Sequence, residues 1–102
     1  MEIRIIWSEL SVNQIQGIFE YYSKEAGSRI AKRIVNKIIE RVAVLKHNPQ
    51  AGQKEELLVD YPEDFRYLVD GNYKIIYWIK EGLITIASVF DCRQNPEKLK
   101  NV

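Results

Sequence analysis

The stretch from Phe65 to Phe90, FRYLVDGNYKIIYWIKEGLITIASVF, decides the fold class of this 102-residue chain. Three runs rich in β-branched and aromatic residues are separated by two glycine-containing turns, a pattern typical of an antiparallel meander. The strands are predicted over residues 65–69, 72–80 and 83–90. The turns are predicted at Asp70-Gly71 and Glu81-Gly82, because a two-residue loop with glycine is a strong hairpin signal.

Upstream of this stretch, the chain is predicted to form one strand and then two helices. Residues 2–7 alternate in polarity as a strand does. Ser8 or Ser11 is expected to cap a helix that runs to about Lys24, and Ser28 to cap a second helix that runs to about Lys46. In both helices, apolar residues recur three and four positions apart and so form one stripe along the helix. The stripe of the first helix comprises Val12, Ile15, Phe19, Tyr22 and Ala26. The stripe of the second helix comprises Ile30, Ile34, Ile38, Val42 and Leu45, and Val35 and Ile39 make it wider.

Residues 50–64 are predicted as an acidic loop with a short edge strand at 57–59, and Pro96 as the start of a final helix. The order of strand, helical hairpin and three-stranded meander indicates an α+β protein, with a single domain over residues 1–102. We expect the first strand to join the antiparallel strands in one sheet. The helical hairpin should then cover one face of that sheet.

The composition is that of a globular protein, with 46% hydrophobic and 28% charged residues and a net charge of +1. Residues 51–65 carry five acidic residues and one lysine, whereas the segments on either side carry an excess of Lys and Arg. This balance excludes a general nucleic-acid binder, which needs concentrated positive charge. A single cysteine and the absence of a signal peptide or membrane-length apolar run predict a cytoplasmic protein without membrane contact.

Several motifs in this order resemble the RelE/ParE superfamily of toxins from type II toxin–antitoxin systems, and the resemblance covers nearly the whole chain. They are Ile5-Ile6-Trp7-Ser8, Ile18-Phe19-Glu20-Tyr21-Tyr22, Leu45 to Gly52, Phe65-Arg66-Tyr67-Leu68-Val69, Tyr73-Lys74-Ile75-Ile76-Tyr77 and Ile84 to Pro96. The resemblance is greatest to the ParE-like, plasmid-stabilisation branch. It implies a toxin that is neutralised by a cognate antitoxin protein.

The resemblance leaves the target open. RelE-like members cleave mRNA on the ribosome, and ParE-like members inhibit DNA gyrase. Nuclease members usually place a His or Tyr beyond the last strand, and residues 91–96 contain neither. The leading hypothesis is therefore a ParE-like inhibitor of a target such as gyrase. The alternatives are a ribosome-dependent mRNA endoribonuclease and an inactive interaction module.

Candidate site residues follow from the chemistry of RNA cleavage, which needs a base, an acid and positive charge at the phosphate. Arg66, Lys74 and Arg93 are the candidate catalytic cations if the protein is a nuclease. The same three residues and Trp78 are the candidate binding residues, because exposed tryptophan marks interfaces. For Arg66, a salt bridge with Asp64, Asp91 or another surface acid is the alternative interpretation.

Other residues that bear chemistry have structural interpretations. His47 is expected to lie at a helix end, and Cys92 to be an inert, half-buried thiol. One Cys and one His in distant elements predict no metal site. No motif indicates a small-molecule cofactor or any other cofactor. The basic series of the second helix is interpreted as a solvated face or as a contact for an acidic partner. It comprises Arg29, Lys32, Arg33, Lys37 and Arg41.

Overall fold

The structure of the protein is a computed structural model that describes residues 2–93. Its strands are β1 (Arg4–Trp7), β2 (Gln53–Lys54), β3 (Phe65–Asp70), β4 (Tyr73–Lys80) and β5 (Leu83–Asp91), and its helices are α1 (Glu9–Ala26) and α2 (Ser28–Ala43). The strands form one sheet in the order β1-β5-β4-β3-β2. The α+β class, the helical hairpin and the meander are confirmed. The helix expected from Pro96 lies outside the described residues.

Strand β1 joins the sheet by pairing in parallel with β5, from Arg4 opposite Leu83 to Trp7 opposite Ile86. Ser8 secures the end of this pairing, because its hydroxyl donates to the carbonyl of Ala87 at 2.9 Å. The same hydroxyl accepts the backbone N–H of Ser11 at 3.0 Å, so Ser8 is the N-cap of α1. Ser11, the other capping candidate, is instead buried in the first helical turn.

The two meander turns differ in how well their positions were predicted. Glu81-Gly82 is confirmed, and both residues have positive φ, as a type I′ turn requires. The first turn is Gly71-Asn72 rather than Asp70-Gly71, because Asp70 pairs with Tyr73 in the sheet. Gly71 takes the left-handed conformation, with φ of 58°. The predicted first turn was therefore wrong by one residue.

The edge strand predicted at 57–59 is also wrong. The edge strand is β2, in which Gln53 and Lys54 pair with Tyr67 and Arg66 of β3. Residues 56–58 form a 3-10 turn, which begins where the Glu55 carboxylate accepts the N–H of Leu57 at 3.2 Å. This local hydrogen bond competes with extended backbone. The turn buries Leu58 and leaves Leu57 and Val59 exposed.

The sheet has an apolar cluster on each face. The helix-side cluster is formed by Ile38, Val42, Leu45, Leu68, Tyr73, Ile75, Tyr77, Ile84, Ile86 and Val89. The opposite cluster is smaller and is formed by Leu58, Ile76 and Phe90, with Phe65, Tyr67 and Ala87 packed against it. Residues 55–64 therefore cover part of the face that the helices leave open. This arrangement decides which side chains of the meander reach solvent.

Candidate functional site

The candidate cations Arg66 and Lys74 lie on opposite faces of the sheet. Arg66 is directly opposite Tyr77, which belongs to the helix-side cluster. Lys74 is directly opposite Phe90, which belongs to the other cluster. Because paired residues on neighbouring strands share a face, the sheet separates the two side chains.

Arg66 is held by the loop that precedes β2 and by the residue before β3. Its Nη1 donates to the carbonyl of Gly52 at 3.1 Å, and its Nε donates to Asp64 Oδ2 at 3.2 Å. The side chain is 17% exposed. These contacts confirm the interpretation that Arg66 pairs with Asp64.

Tyr77 supports the same loop from within the core. Its hydroxyl accepts the N–H of Gly52 at 2.9 Å and donates to the carbonyl of Pro49 at 2.9 Å. Burial raises the pKa of Tyr77 above its ordinary value of 10, although the Gly52 hydrogen bond and the charge of Arg66 oppose this shift. The phenol therefore remains a neutral hydrogen-bonding group at physiological pH. Gly52 thus links Tyr77 to Arg66 through its own peptide groups.

Lys74 forms an ion pair that is largely removed from water. Its Nζ lies 2.7 Å from Glu55 Oε2, and the Glu55 side chain is only 3% exposed. The ammonium also lies 4.3 Å from the centre of the Tyr67 ring, within the range of a cation–π interaction. A buried carboxylate must be paired. Lys74 consequently attaches the acidic loop to the sheet through Glu55.

Trp78 lines a groove at the end of the sheet where β3 begins. The groove has a volume of about 420 Å³ and is bounded by Pro62, Glu63, Asp64, Trp78, Ile79 and Lys80. Trp78 pairs with Phe65, next to the Arg66–Tyr77 pair. Asp64 both lines this groove and binds Arg66. Because Trp78 shares a face with Phe65, which packs on the smaller cluster, Trp78 and Arg66 lie on opposite faces of the sheet.

Arg93 lies at the opposite end of β4, where Asp91 is paired with Tyr73. Its Nε and Nη2 donate to the two oxygens of Asp91 at 2.9 and 2.7 Å. The hydrogen bond from Arg93 lowers the pKa of Asp91 below its ordinary value of 3.8, against the effect of burial. Burial and a hydrogen bond with Tyr22 raise the pKa of Tyr73. Arg93 is the most exposed of the three cations, with 57% of its side chain accessible.

Four residues at these sites were missed by sequence reasoning. Glu55 was counted only as part of an acidic loop, and Gly52 and Tyr77 only as parts of family motifs. Gly52 has a reason to be glycine, because a Cβ there would lie 2.6 Å from Tyr77 Oη and 2.7 Å from the carbonyl oxygen of Tyr67. Gln14 was not singled out, yet its Oε1 accepts the N–H of Val89 at 2.7 Å.

The remaining sequence candidates have ordinary surroundings. His47 is exposed and follows the 3-10 turn at Val44–Lys46, in agreement with a helix-end position. Cys92 is exposed rather than half-buried, because it follows the last residue of β5. Within residues 2–93, no three His, Cys, Asp or Glu side chains are grouped as metal ligands would be. Neither α1 nor α2 has the length and hydropathy that a membrane crossing requires.

Comparison with known proteins identifies the fold and the family. Residues 5–96 match the family described as the ParE toxin of the type II toxin–antitoxin system parDE. No curated protein matches the sequence. The structure resembles a chain of a chromosomal ParDE system from P. aeruginosa, with a TM-score of 0.73 and 18% identity over 88% of this chain and 96% of that one.

A second similar structure is that of a YoeB dimer from Staphylococcus aureus, with a TM-score of 0.57 and 18% identity over 87% of this chain and 95% of that one. At these identities the likeness concerns the fold. The fold and the family match place the protein in the RelE/ParE superfamily. Within that superfamily, the chain belongs to the family of ParE toxins of type II toxin–antitoxin systems.

Proposed function

We propose that this toxin inhibits a bacterial target such as DNA gyrase by binding it, and that a cognate antitoxin neutralises it. The family match over residues 5–96 supports the ParE-like assignment. The observation that carries the proposal is the separation of Arg66, Lys74 and Arg93. A binding protein has no need for these cations to converge, whereas a nuclease does.

Cleavage of RNA at a 2′-hydroxyl requires a base, an acid and a cation around one phosphate. Arg66 and Lys74 lie on opposite faces of the sheet, and Arg93 lies near Tyr73, four residues along β4 from Tyr77, the strand partner of Arg66. Four residues of strand span roughly 13 Å. Each cation is also paired with a carboxylate of Asp64, Glu55 or Asp91. This arrangement favours binding over phosphate chemistry.

The end of the sheet around Asp64 is the surface that we assign to the target. Trp78 offers an aromatic side chain in an open groove, and Asp64, which lines the same groove, binds the partly exposed Arg66 on the other face of the sheet. Trp and Arg are enriched among the residues that dominate binding energy at protein interfaces. Lys74 serves this surface indirectly, because its ion pair holds the loop that forms one wall.

The test is induction of the toxin in a bacterial host, with incorporation of thymidine and of amino acids followed side by side during the first minutes. We expect DNA synthesis to stop first while protein synthesis continues. An initial collapse of protein synthesis would replace this proposal with the ribosome-dependent endoribonuclease. If neither process changes while folded protein accumulates, the chain is an inactive interaction module.

Two variants locate the target surface in the same assay. Trp78→Ala should abolish the inhibition of DNA synthesis, and Tyr21→Ala, which removes an exposed aromatic ring from α1, should not. For the alternative activity, Arg66→Ala and Arg93→Ala should each abolish mRNA cleavage. Recovery of growth when the antitoxin is co-expressed tests neutralisation independently of the target.

A further inference from the structure

An open cavity of about 520 Å³ lies between α1 and the end of β5. Gly17 and Tyr21 line it from α1, Tyr73 lines it from β4, and Asp91 and Arg93 line it where β5 ends. Cavities of roughly 300–1,000 Å³ are typical of sites that bind small molecules. The surface assigned to the target does not include this cavity.

Gly17 keeps the cavity open on the helix side. It lies in the middle of α1, where glycine destabilises a helix relative to alanine. Close packing does not explain this residue, because nothing lies within 4 Å of the position that a Cβ would take. Because Gly17 lines the cavity, a longer side chain there would enter it. The glycine therefore preserves space that another molecule can occupy.

Tyr21 provides an exposed aromatic ring on the same wall, one helical turn from Gly17. The residue is 58% exposed. The ring of Tyr22 meets it edge-on, with a centroid distance of 5.0 Å and an interplanar angle of 87°, and so restrains its orientation. A planar ligand can stack on such a ring, and it binds more tightly when the ring does not have to be ordered first.

Asp91 and Arg93 form the polar wall of the cavity, and their opposite charges cancel. Nε and Nη2 of Arg93 donate to Asp91 at 2.9 and 2.7 Å, which fixes the guanidinium in place. The Arg93 side chain is still 57% exposed, and a guanidinium has five N–H donors in all. Asp91 Oδ2 accepts one of these bonds and has the capacity for a second. This wall therefore suits a neutral group with donors and acceptors side by side, and not a free anion.

We propose that this cavity binds a nucleobase, in the form of a free nucleoside. A nucleobase is planar and uncharged, and its edge carries donors beside acceptors, so it can stack on Tyr21 and meet the polar wall. Guanine suits that wall best, because arginine pairs with its O6 and N7 acceptors and a carboxylate accepts N–H groups of bases. Arg93 is the one basic residue in the cavity lining, so the phosphates of a nucleic-acid strand would find few cations there.

The test is a titration of the purified toxin with guanosine, followed through the backbone amide signals of Gly17 and Val89 in heteronuclear NMR spectra. These two residues line the cavity from α1 and from β5. We expect saturable shifts of both signals with guanosine and no shift with inorganic phosphate, because Asp91 cancels the charge of Arg93. A cavity that responds to phosphate and not to guanosine is an anion site, which would overturn the proposal.

Two substitutions test the two walls separately. Gly17→Leu should weaken guanosine binding at least about tenfold, because the new side chain fills the space for the base. Leucine forms helices better than glycine, so this loss cannot come from unfolding of α1. Arg93→Met should also weaken binding at least about tenfold, since it removes the charged hydrogen-bond donors.

Gln16→Leu is the matched control for Gly17→Leu. Gln16 is exposed and is turned by roughly 100° around the helix axis from Gly17. This variant should bind guanosine within about twofold of the unmodified toxin. Binding that is unchanged in Gly17→Leu or in Arg93→Met would overturn the proposal, as would the absence of saturable shifts in the unmodified toxin. Trp78 lies five residues along β4 from Tyr73, roughly 17 Å away, so these outcomes do not bear on the target surface.

Discussion

The hydroxyl oxygen of Tyr77 lies 2.9 Å from the backbone nitrogen of Gly52, and this contact joins the centre of the sheet to the loop before β2. The same loop accepts a hydrogen bond from Arg66 through the Gly52 carbonyl. A buried tyrosine therefore determines where a candidate binding residue is held. The first two predictions concern the two sides of this contact.

Replacement of Tyr77 by Phe removes both hydrogen bonds of the phenol without changing the ring. The N–H of Gly52 and the carbonyl of Pro49 then lose their partner, which should lower the free energy of unfolding by about 1–3 kcal/mol. Urea denaturation measures this change. Tyr67→Phe, which removes an exposed hydrogen bond to Gln53, is the control and should change stability by less than about 0.5 kcal/mol. Equal effects of the two variants would contradict the role given to Tyr77.

Replacement of Gly52 by Ala should destabilise the protein by about 1–3 kcal/mol, because the new methyl group overlaps the Tyr77 side chain and the Tyr67 carbonyl. The control is Gly17→Ala in α1, where nothing lies within 4 Å of the added carbon. Alanine is a better helix former, so Gly17→Ala should raise stability by up to about 1 kcal/mol. Opposite signs for two identical substitutions would confirm the close approach at Gly52.

Replacement of Lys74 by Met should destabilise the protein by about 3–5 kcal/mol, because it leaves the buried Glu55 carboxylate without its cation. The second change Glu55→Gln, made in the Lys74→Met background, removes the unpaired charge and should recover most of this loss. Lys80→Met, at the exposed end of β4, should change stability by less than about 0.5 kcal/mol. If the effects of the Lys74 and Glu55 substitutions on the free energy of unfolding were additive, Lys74 and Glu55 would not be energetically coupled.

The Asp91–Arg93 pair should make stability depend on pH in the acidic range. The pKa of Asp91 is lowered in the folded protein, so its contribution is present above the ordinary value of 3.8 and is lost as pH falls below it. Asp91→Asn should therefore lower the melting temperature at about pH 7 and lower it less at about pH 2. Thermal denaturation at several pH values in this range measures the difference in melting temperature between the unmodified protein and Asp91→Asn. If the pair contributes nothing to stability, this difference should not change with pH.

The sequence was sufficient for the fold because its signals are local. The turn at Glu81-Gly82 and the two helices depend on neighbouring residues, and all are confirmed. The cap expected from Ser28 was wrong, because Gly27 is the N-cap of α2 and no side chain caps it. The turn at Gly71-Asn72 was misplaced because three adjacent residues, Asp70, Gly71 and Asn72, each suit a turn. The strand expected at 57–59 was displaced by a hydrogen bond from Glu55, which residue patterns do not reveal.

In the candidate site, the placement of Arg66 and Lys74 on opposite faces of the sheet could be predicted from the sequence. Either two-residue turn pairs even-numbered residues of β3 with odd-numbered residues of β4, which places Arg66 on the face opposite Lys74. The residues that bind each cation, in contrast, could not be predicted from the sequence. Glu55 reaches Lys74, and Gly52 reaches Arg66, only through the path of the loop. No periodicity determines that path.

The parallel pairing of β1 with β5 also has a consequence for biosynthesis. Ser8 bonds to Ala87, so the first strand made by the ribosome cannot take its place until nearly the whole chain has emerged. Contacts this distant in sequence form late and slow folding, because the intervening chain must be ordered first. The five-stranded sheet can therefore be completed only when translation of the chain is nearly finished.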